Sequence, residues 1–269
     1  MADRVVCTIS EGVADVRLNR PDKLNALDIA MFTALAETAA AVAQTPGVRA
    51  VVLSGEGRSF CAGLDLAAFS AMARGERLGP AEDPGALGAD GLSLGQRAVL
   101  AWHDLAVPVV AALRGHALGG GLQLALGADI RIAAPDTVLS VYEINWGLTP
   151  DMAGTQLLPR LVGPDVAAEL TFTGRLVDAA EADRIGLVTR VVDDPTAAAH
   201  ELAARIAAAN PDAIQTAKRL LQQAQAPMQD GLAAERAALA KIMGSPHQRE
   251  AAAAAIEKRK PEFTEVHRG

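Results

Sequence analysis

Aromatic residues and cysteines are scarce in this chain of 269 residues. Aromatic side chains make up 3% of it, and cysteine occurs only at Cys7 and Cys61. Two cysteines provide neither a disulfide framework nor a metal cluster. The five histidines also lack the spacing of metal ligands, such as two histidines four residues apart on a helix. The sequence therefore predicts no metal site.

The chain also lacks an excess of positive charge and a long apolar run. Lysine and arginine number 25 against 32 aspartates and glutamates, a net charge of −7 that argues against nucleic acid as a partner. No run approaches the roughly 18–20 apolar residues that span a bilayer. Residues Met1–Arg4 lead directly into a strand pattern without a cleavable signal. We expect a cytoplasmic protein with no membrane partner.

Half of the residues are hydrophobic, enough to bury the core of one large domain or of a domain with a subdomain. Arg4–Ile9 and Val13–Leu18 alternate as the two strands of a hairpin. Asp28 is placed to cap a helix whose apolar positions recur at helical spacing. Arg49–Ser54 then has the apolar run of a buried strand. The pattern predicts a strand–strand–helix–strand unit.

A looser version of this unit follows. We predict strands at Val109–Leu113, Ile130–Ala133 and Val138–Val141, with a short helix at Gly119–Gly127, which makes the fold class α/β. Beyond about Pro195 the patterns are helical only. They are Thr196–Asn210, Pro211–Ala224, Met228–Met243 and Pro246–Lys258. We therefore predict a body over residues 1–195 and a helical region over residues 196–269, which buries its apolar faces against a neighbouring subunit.

Two segments are candidates for ligand binding through the backbone. The triplet Gly119–Gly121 lies between a strand and a helix, where main-chain amides can approach a ligand and the helix start adds partial positive charge. A tight turn with close packing is an equally good explanation. Phe60–Leu66 follows a buried strand, where α/β folds bind ligands, although an ordinary loop fits as well. Within it, Cys61 is expected to be a small buried residue and not a nucleophile.

Two carboxylates are candidates for acid–base chemistry. Glu143 stands in an apolar stretch, which raises the pKa of a carboxyl group, although a surface glutamate at a strand end is the simpler interpretation. Asp151 either faces a pocket or caps the following helix. Residues Gly91–Gly95 match the G-x-S-x-G pattern of serine hydrolases, but a loop precedes them where that pattern needs a strand. We interpret this match as chance at a helix start.

Six segments together resemble the crotonase (enoyl-CoA hydratase/isomerase) superfamily in order and spacing. They are Leu18–Leu27, Phe60–Leu66, Val110–Asp129, Glu143–Leu158, Gly174–Ala179 and Glu257–Lys260. The resemblance implies a ClpP/crotonase-like spiral of β-β-α units with a C-terminal helical trimerisation region. It also implies a homotrimer or a dimer of trimers.

The resemblance further implies an acyl-CoA substrate, with coenzyme A as part of the substrate and no separate cofactor. The backbone N–H groups of Ala62 and Gly120 would form an oxyanion hole that stabilises an enolate. Lys258 of an adjacent subunit would contact the CoA phosphates. The other implied substrate-binding residues are Lys23, Leu24, Ala26, Leu64, Asp65 and Leu66.

The catalytic acids depart from the hydratase pattern. Hydratases of the superfamily have two glutamates, and the first is replaced here by Gln123, while the second is present as Glu143. An amide cannot exchange a proton, so we predict isomerisation of an unsaturated fatty acyl-CoA, with proton transfer by Glu143. Asp151, eight residues further on, would be its partner, and Gln123 would position substrate or water.

Three alternatives remain at this stage. The first is hydration of trans-2-enoyl-CoA by Glu143 and Asp151. The second is nucleophilic attack by Asp151, as in the aroyl-CoA dehalogenase branch, although no histidine is clearly placed to activate water. The third is a non-catalytic acyl-CoA binder.

Overall fold

The computed structural model describes residues 3–68, 87–224, 241, 245–257 and 259–263, and its core is a six-stranded sheet. The sheet has the strand order β1-β2-β3-β4-β6-β9, and all its neighbouring strands are parallel except the β1–β2 hairpin. A three-stranded sheet has the order β5-β7-β8. The strands are β1 Val5–Ser10, β2 Val13–Leu18, β3 Ala50–Gly55, β4 Val109–Leu113, β5 His116–Leu118, β6 Ile130–Ala133, β7 Val138–Ser140, β8 Val177–Asp178 and β9 Arg190–Val191.

The helices alternate with these strands and then follow one another at the end of the chain. They are α1 Ile29–Gln44, α2 Leu94–His103, α3 Gly120–Leu126, α4 Gly154–Val162, α5 Pro164–Thr173, α6 Ala179–Arg184, α7 Pro195–Ala207, α8 Pro211–Gln222 and α9 Pro246–Glu257. Short 3₁₀ turns occur at Pro21–Lys23 and Glu143–Trp146. The predicted helix at Met228–Met243 lies largely outside the described residues.

The first strand–strand–helix–strand unit forms where the sequence predicted it. The Asp28 carboxylate accepts a hydrogen bond from the Met31 amide and begins α1, which confirms the predicted cap. Strand β3 is buried on both faces because its apolar run has no polar alternation. Val51 and Leu53 pack into the central core, whereas Ala50 and Val52 face the opposite side of the sheet.

That opposite face is covered by α7. Three alanines on one side of this helix, Ala199, Ala203 and Ala207, pack against alternate residues of β2, β3, β4 and β6. Alanine at these positions lets the helix approach the sheet closely. The helix that we assigned to the oligomerisation region therefore belongs to the body, and residue 195 does not mark a break in packing.

Helix α8 is also fixed to the body. The Lys218 ammonium group is buried and lies 2.7 Å from an Asp129 carboxylate oxygen and 3.0 Å from the Val107 carbonyl oxygen. Gln222 donates to the His103 carbonyl oxygen at the other end of the contact. The described part of the C-terminal region thus folds onto its own chain.

None of the described helices is long and apolar enough to cross a membrane. Within the same residues, no group of three histidine, cysteine, aspartate or glutamate side chains could hold a metal ion.

Candidate active site

The start of α3 brings a backbone amide to the carboxyl end of β5, a strand that the sequence analysis missed. Gly119 has φ 52°, a left-handed conformation that favours glycine, and its N–H donates to the Ser140 carbonyl oxygen at 2.9 Å. Gly120 is the first residue of the helix, where an N–H has no intrahelical acceptor. Its amide can therefore donate to a ligand, and its role in an oxyanion hole stays a prediction.

The other predicted amide, that of Ala62, is not available. Its N–H donates to the Leu24 carbonyl oxygen at 3.0 Å, so this part of the prediction is wrong. The sequence does not reveal this, because the direction of a backbone N–H cannot be read from residue type.

Leu64 supplies the better placed amide. The residues on either side of it bond to Leu27: the Leu27 N–H donates to the Gly63 carbonyl oxygen at 2.8 Å, and the Asp65 N–H donates to the Leu27 carbonyl oxygen at 3.0 Å. In such a bridge the N–H of the middle residue points away from the partner strand. The Leu64 N–H finds no acceptor among the described residues. A Cβ on neighbouring Gly63 would lie 3.7 Å from the Gly120 nitrogen, so the two backbones adjoin.

Gln123 is buried on α3 and has both ends of its amide engaged. Its Oε1 accepts hydrogen bonds from the Met152 N–H at 2.8 Å and from the Gly154 N–H at 2.9 Å. Its Nε2 donates to Glu143 Oε1 at 2.7 Å. The side chain therefore holds a carboxylate, whereas the sequence predicted that it positions substrate or water. The Met152 and Gly154 amides carried no signal in the sequence.

Glu143 lies above the start of α3. Its Oε1 is 3.3 Å from the position that a Cβ on Gly119 would occupy. Burial raises the pKa of its carboxyl group, and the nearby negative charge of Asp151 raises it further, whereas the hydrogen bond from Gln123 lowers it. Glu143 Oε2 is buried and has no hydrogen-bond partner within the described part of the chain. One carboxylate oxygen is thus fixed by the protein and the other is left for a ligand.

Asp151 does not cap the helix that follows it. Helix α4 begins after Ala153, which has φ 69°, and no side chain caps that end. Asp151 is exposed, and its charge acts on Glu143. Asp151 is therefore not the N-cap of α4. Its carboxylate lies close enough to Glu143 for its charge to affect the pKa of that group.

The segments predicted to bind CoA are brought together. Lys23 is exposed at the end of the first 3₁₀ turn, and Leu24 and Ala26 lie between it and Leu27, which pairs with Leu64. Leu66 is 67% exposed. The Asp65 carboxylate forms an ion pair with Arg20 and accepts a hydrogen bond from the Ala67 N–H, so its contacts hold the loop. Lys258 lies outside the described residues. A role for these residues in binding CoA stays a prediction.

Two motifs are explained structurally, as the sequence analysis predicted. Cys61 is fully buried, its thiol donates to the Asn25 carbonyl oxygen, and burial raises the pKa of the thiol to about 12. Ser93, in the G-x-S-x-G match, is the first residue of a capping box with Gln96 at the start of α2.

Comparisons with known proteins bear on the fold and the family of this chain. The family model described as enoyl-CoA hydratase/isomerase matches residues 8–266. The chain is 38% identical to YngF of Bacillus subtilis over 97% of this chain and 98% of that protein. It is 33% identical to the crotonyl-CoA hydratase of Syntrophomonas wolfei, again over 97% and 98%. The crystal structure of the enoyl-CoA hydratase from Bacillus anthracis is 31% identical and superposes with a TM-score of 0.85 over 97% of this chain and 98% of that one. The predicted crotonase fold is confirmed.

Proposed function

Because the chain belongs to the enoyl-CoA hydratase/isomerase family, we propose that it moves the double bond of an enoyl-CoA thioester, with Glu143 as the base. The observation that carries this proposal is the hydrogen bond from Gln123 Nε2 to Glu143 Oε1, beside a buried Oε2 that has no partner among the residues that the structure describes. The Gln123 amide cannot act as a general acid or base. A single carboxylate oxygen next to the substrate suits a reaction that takes a proton from one carbon and returns it to another.

The first step removes a proton from C2 of a 3-enoyl-CoA. Glu143 Oε2 accepts the proton, and the electron pair of the C–H bond moves toward the thioester carbonyl to give a dienolate. The Leu64 and Gly120 amides donate to the oxygen on which the charge develops. Losing one such donor typically costs about 3–4 kcal/mol of transition-state stabilisation.

The second step returns the same proton to C4. The carbonyl re-forms, the double bond now lies between C2 and C3, and Glu143 is again a carboxylate. A carboxyl group whose pKa is raised by burial holds an accepted proton more readily than an ordinary carboxylate does, and it can return that proton in the second step. The product is the conjugated trans-2-enoyl-CoA. We place this chemistry in the cytoplasm and on fatty acyl chains.

Hydration of trans-2-enoyl-CoA by Glu143 and Asp151 is the second candidate. It is favoured by the effect of the Asp151 charge on Glu143 and by the relatives named as hydratases. Two carboxylates would then hold the attacking water. The substitution Asp151→Asn separates the two reactions, because hydration needs both carboxylates. The isomerisation proposed here runs through Glu143 alone, without the partner role that the sequence predicted for Asp151.

The test supplies 3-hexenoyl-CoA and trans-2-hexenoyl-CoA to the full-length protein. We expect a gain of conjugated thioester absorbance with the first substrate and no change of mass in the product. Glu143→Gln should abolish this gain, whereas Glu37→Gln, at an exposed glutamate on α1, and Asp151→Asn should retain it. A product heavier by one water, formed faster from trans-2-hexenoyl-CoA and lost in Asp151→Asn, would support the hydratase. No turnover of either substrate would support the non-catalytic binder.

A further inference from the structure

The loop of residues 24–27 contacts both of the segments that carry the candidate oxyanion amides, those of Leu64 and Gly120. Asn25 in this loop is fully buried and has φ 56°. Its Nδ2 donates to the carbonyl oxygens of Glu56 and Ser59, and its Oδ1 accepts from the Arg20 N–H. A non-glycine residue in a left-handed conformation is held there only by its surroundings. The loop is therefore fixed against the strand that leads to Leu64.

Leu27, at the end of this loop, contacts both amide-bearing segments. Its backbone N–H and carbonyl bond to Gly63 and Asp65, the two residues that flank Leu64. Its side chain is fully buried, and its Cδ1 is 2.8 Å from the position that a Cβ on Gly120 would occupy. One residue thus fixes the direction of one amide through its backbone and abuts the other through its side chain.

An ion pair holds the same loop from outside. The Arg20 guanidinium group lies 2.5 Å from Asp65 and 3.6 Å from Asp28, and it donates to the Ala26 carbonyl oxygen. Both Arg20 and Asp65 are largely buried. Asp65 follows Leu64 directly, so this ion pair fixes the chain on the C-terminal side of Leu64.

We propose that Leu27 is a positioning residue that sets the spacing between the Leu64 and Gly120 amides and so determines how strongly the thioester carbonyl is polarised. This inference rests on the proposed function, because it needs the two amides to bind that carbonyl. Shortening the side chain leaves Gly120 with Met152 as its close side-chain neighbour and lets α3 shift toward the loop. Two donors that must converge on one oxygen tolerate little displacement.

The control is a leucine that serves only the core. Leu35 on α1 is as fully buried as Leu27 and belongs to the same core. Its backbone lies within a helix and bonds to neither amide segment. Substitutions at the two positions should therefore destabilise the protein comparably. A difference in kcat between them then measures the positioning role of Leu27.

The experiment compares Leu27→Ala and Leu27→Val with Leu35→Ala and Leu35→Val. Each variant is assayed for kcat and KM on 3-hexenoyl-CoA. The second readout is the infrared carbonyl band of bound butyryl-CoA labelled with ¹³C at the thioester carbon, a ligand with no double bond to move. We expect at least a tenfold lower kcat for Leu27→Ala than for Leu35→Ala, with similar KM values. The shift of the carbonyl band to lower frequency on binding should shrink only in the Leu27 variants.

Equal kcat values and equal carbonyl shifts for the Leu27 and Leu35 variants would overturn the proposal. If either Ala variant fails to fold, the comparison of Leu27→Val with Leu35→Val gives the answer. A wild-type protein that binds butyryl-CoA without shifting its carbonyl band would instead overturn the oxyanion hole itself, and the proposed function with it. The wild-type spectrum thus separates the two failures.

Discussion

At the scale of single residues, the site depends on a buried carboxylate whose ionisation opposes folding. Burial raises the pKa of Glu143, so the folded protein favours the neutral form of this side chain. The contribution of that form to stability is complete below the pKa that Glu143 has in the unfolded chain. It is lost as the pH rises through the higher pKa of the folded state. A base that is ready to accept a proton is therefore obtained at a cost in stability.

Glu143→Gln should raise the stability of the protein above that pH range while removing its activity. The amide is neutral at every pH and can still accept the hydrogen bond from Gln123. We expect kcat to fall by a factor on the order of 10² or more, because proton transfer has no substitute. The free energy of unfolding, measured in urea at several pH values, should exceed that of the wild type at pH 8 and approach it at pH 4. A variant less stable than the wild type at pH 8 would contradict this.

Gln123→Met should shift the acidic limb of the pH–rate profile to higher pH. Methionine has a similar length but cannot donate to Glu143, and the donated hydrogen bond is one of the effects that lower the pKa of that carboxyl group. The Met152 and Gly154 amides would lose their acceptor, at roughly 1–3 kcal/mol for each buried group left unpaired. The measurement is kcat/KM between pH 5 and pH 9. Gln156→Met, at an exposed glutamine on α4, is the control and should leave the profile unchanged.

At the scale of elements, the sequence predicted what local chemistry determines and missed what depends on long-range pairing. The cap at Asp28, the two-faced burial of β3 and the glycine start of α3 follow from residue types near in sequence. Strand β5 has three residues and exists because it pairs with β7, so its own sequence is too short to indicate it. The availability of a backbone amide also depends on pairing, so the sequence could not show that the Ala62 N–H is engaged and the Leu64 N–H is not.

Helix α7 provides a test of packing at this scale. Ala203 is fully buried against the sheet, whereas the next residue, Ala204, is exposed. Ala203→Leu should lower the free energy of unfolding by about 1–3 kcal/mol, because extra methylenes in a packed interface force neighbours apart. Ala204→Leu should change it by less than about 0.5 kcal/mol. Thermal or urea unfolding measures both, and equal effects would show that α7 does not pack as described.

At the scale of the whole molecule, the fold class and the family could be predicted because several spaced motifs agree. The packing of α7 and α8 onto the body could not be predicted, since both look like any amphipathic helices until the sheet face under α7 and the Asp129 partner of α8 are known. The assignment of a homotrimer or dimer of trimers stays a prediction. Several apolar side chains near the second 3₁₀ turn are exposed and offer a surface for it. They are Ile144, Trp146, Leu148, Phe172 and Leu176.

Phe172→Glu should therefore reduce the assembled mass of the protein. Phe172 is 76% exposed in the single chain, so a charge there costs little in a monomer but much in an apolar interface. Sedimentation velocity should show a trimer or hexamer for the wild type and smaller species for the variant. Ile9→Glu, at an exposed residue on the edge strand β1, is the control and should keep the wild-type mass. A wild type that sediments as a monomer would refute the assembly.

The central claim is that one oxygen of Glu143 carries a proton from C2 to C4 of the substrate. The most direct test is a single-turnover reaction in ordinary water. The substrate is 3-hexenoyl-CoA in which both hydrogens on C2 are replaced by deuterium. Because Oε2 is buried, we expect the product trans-2-hexenoyl-CoA to carry a measurable fraction of deuterium at C4, detected by mass spectrometry and NMR. Hydrogen drawn wholly from water at C4, or a product that has gained water, would contradict the account.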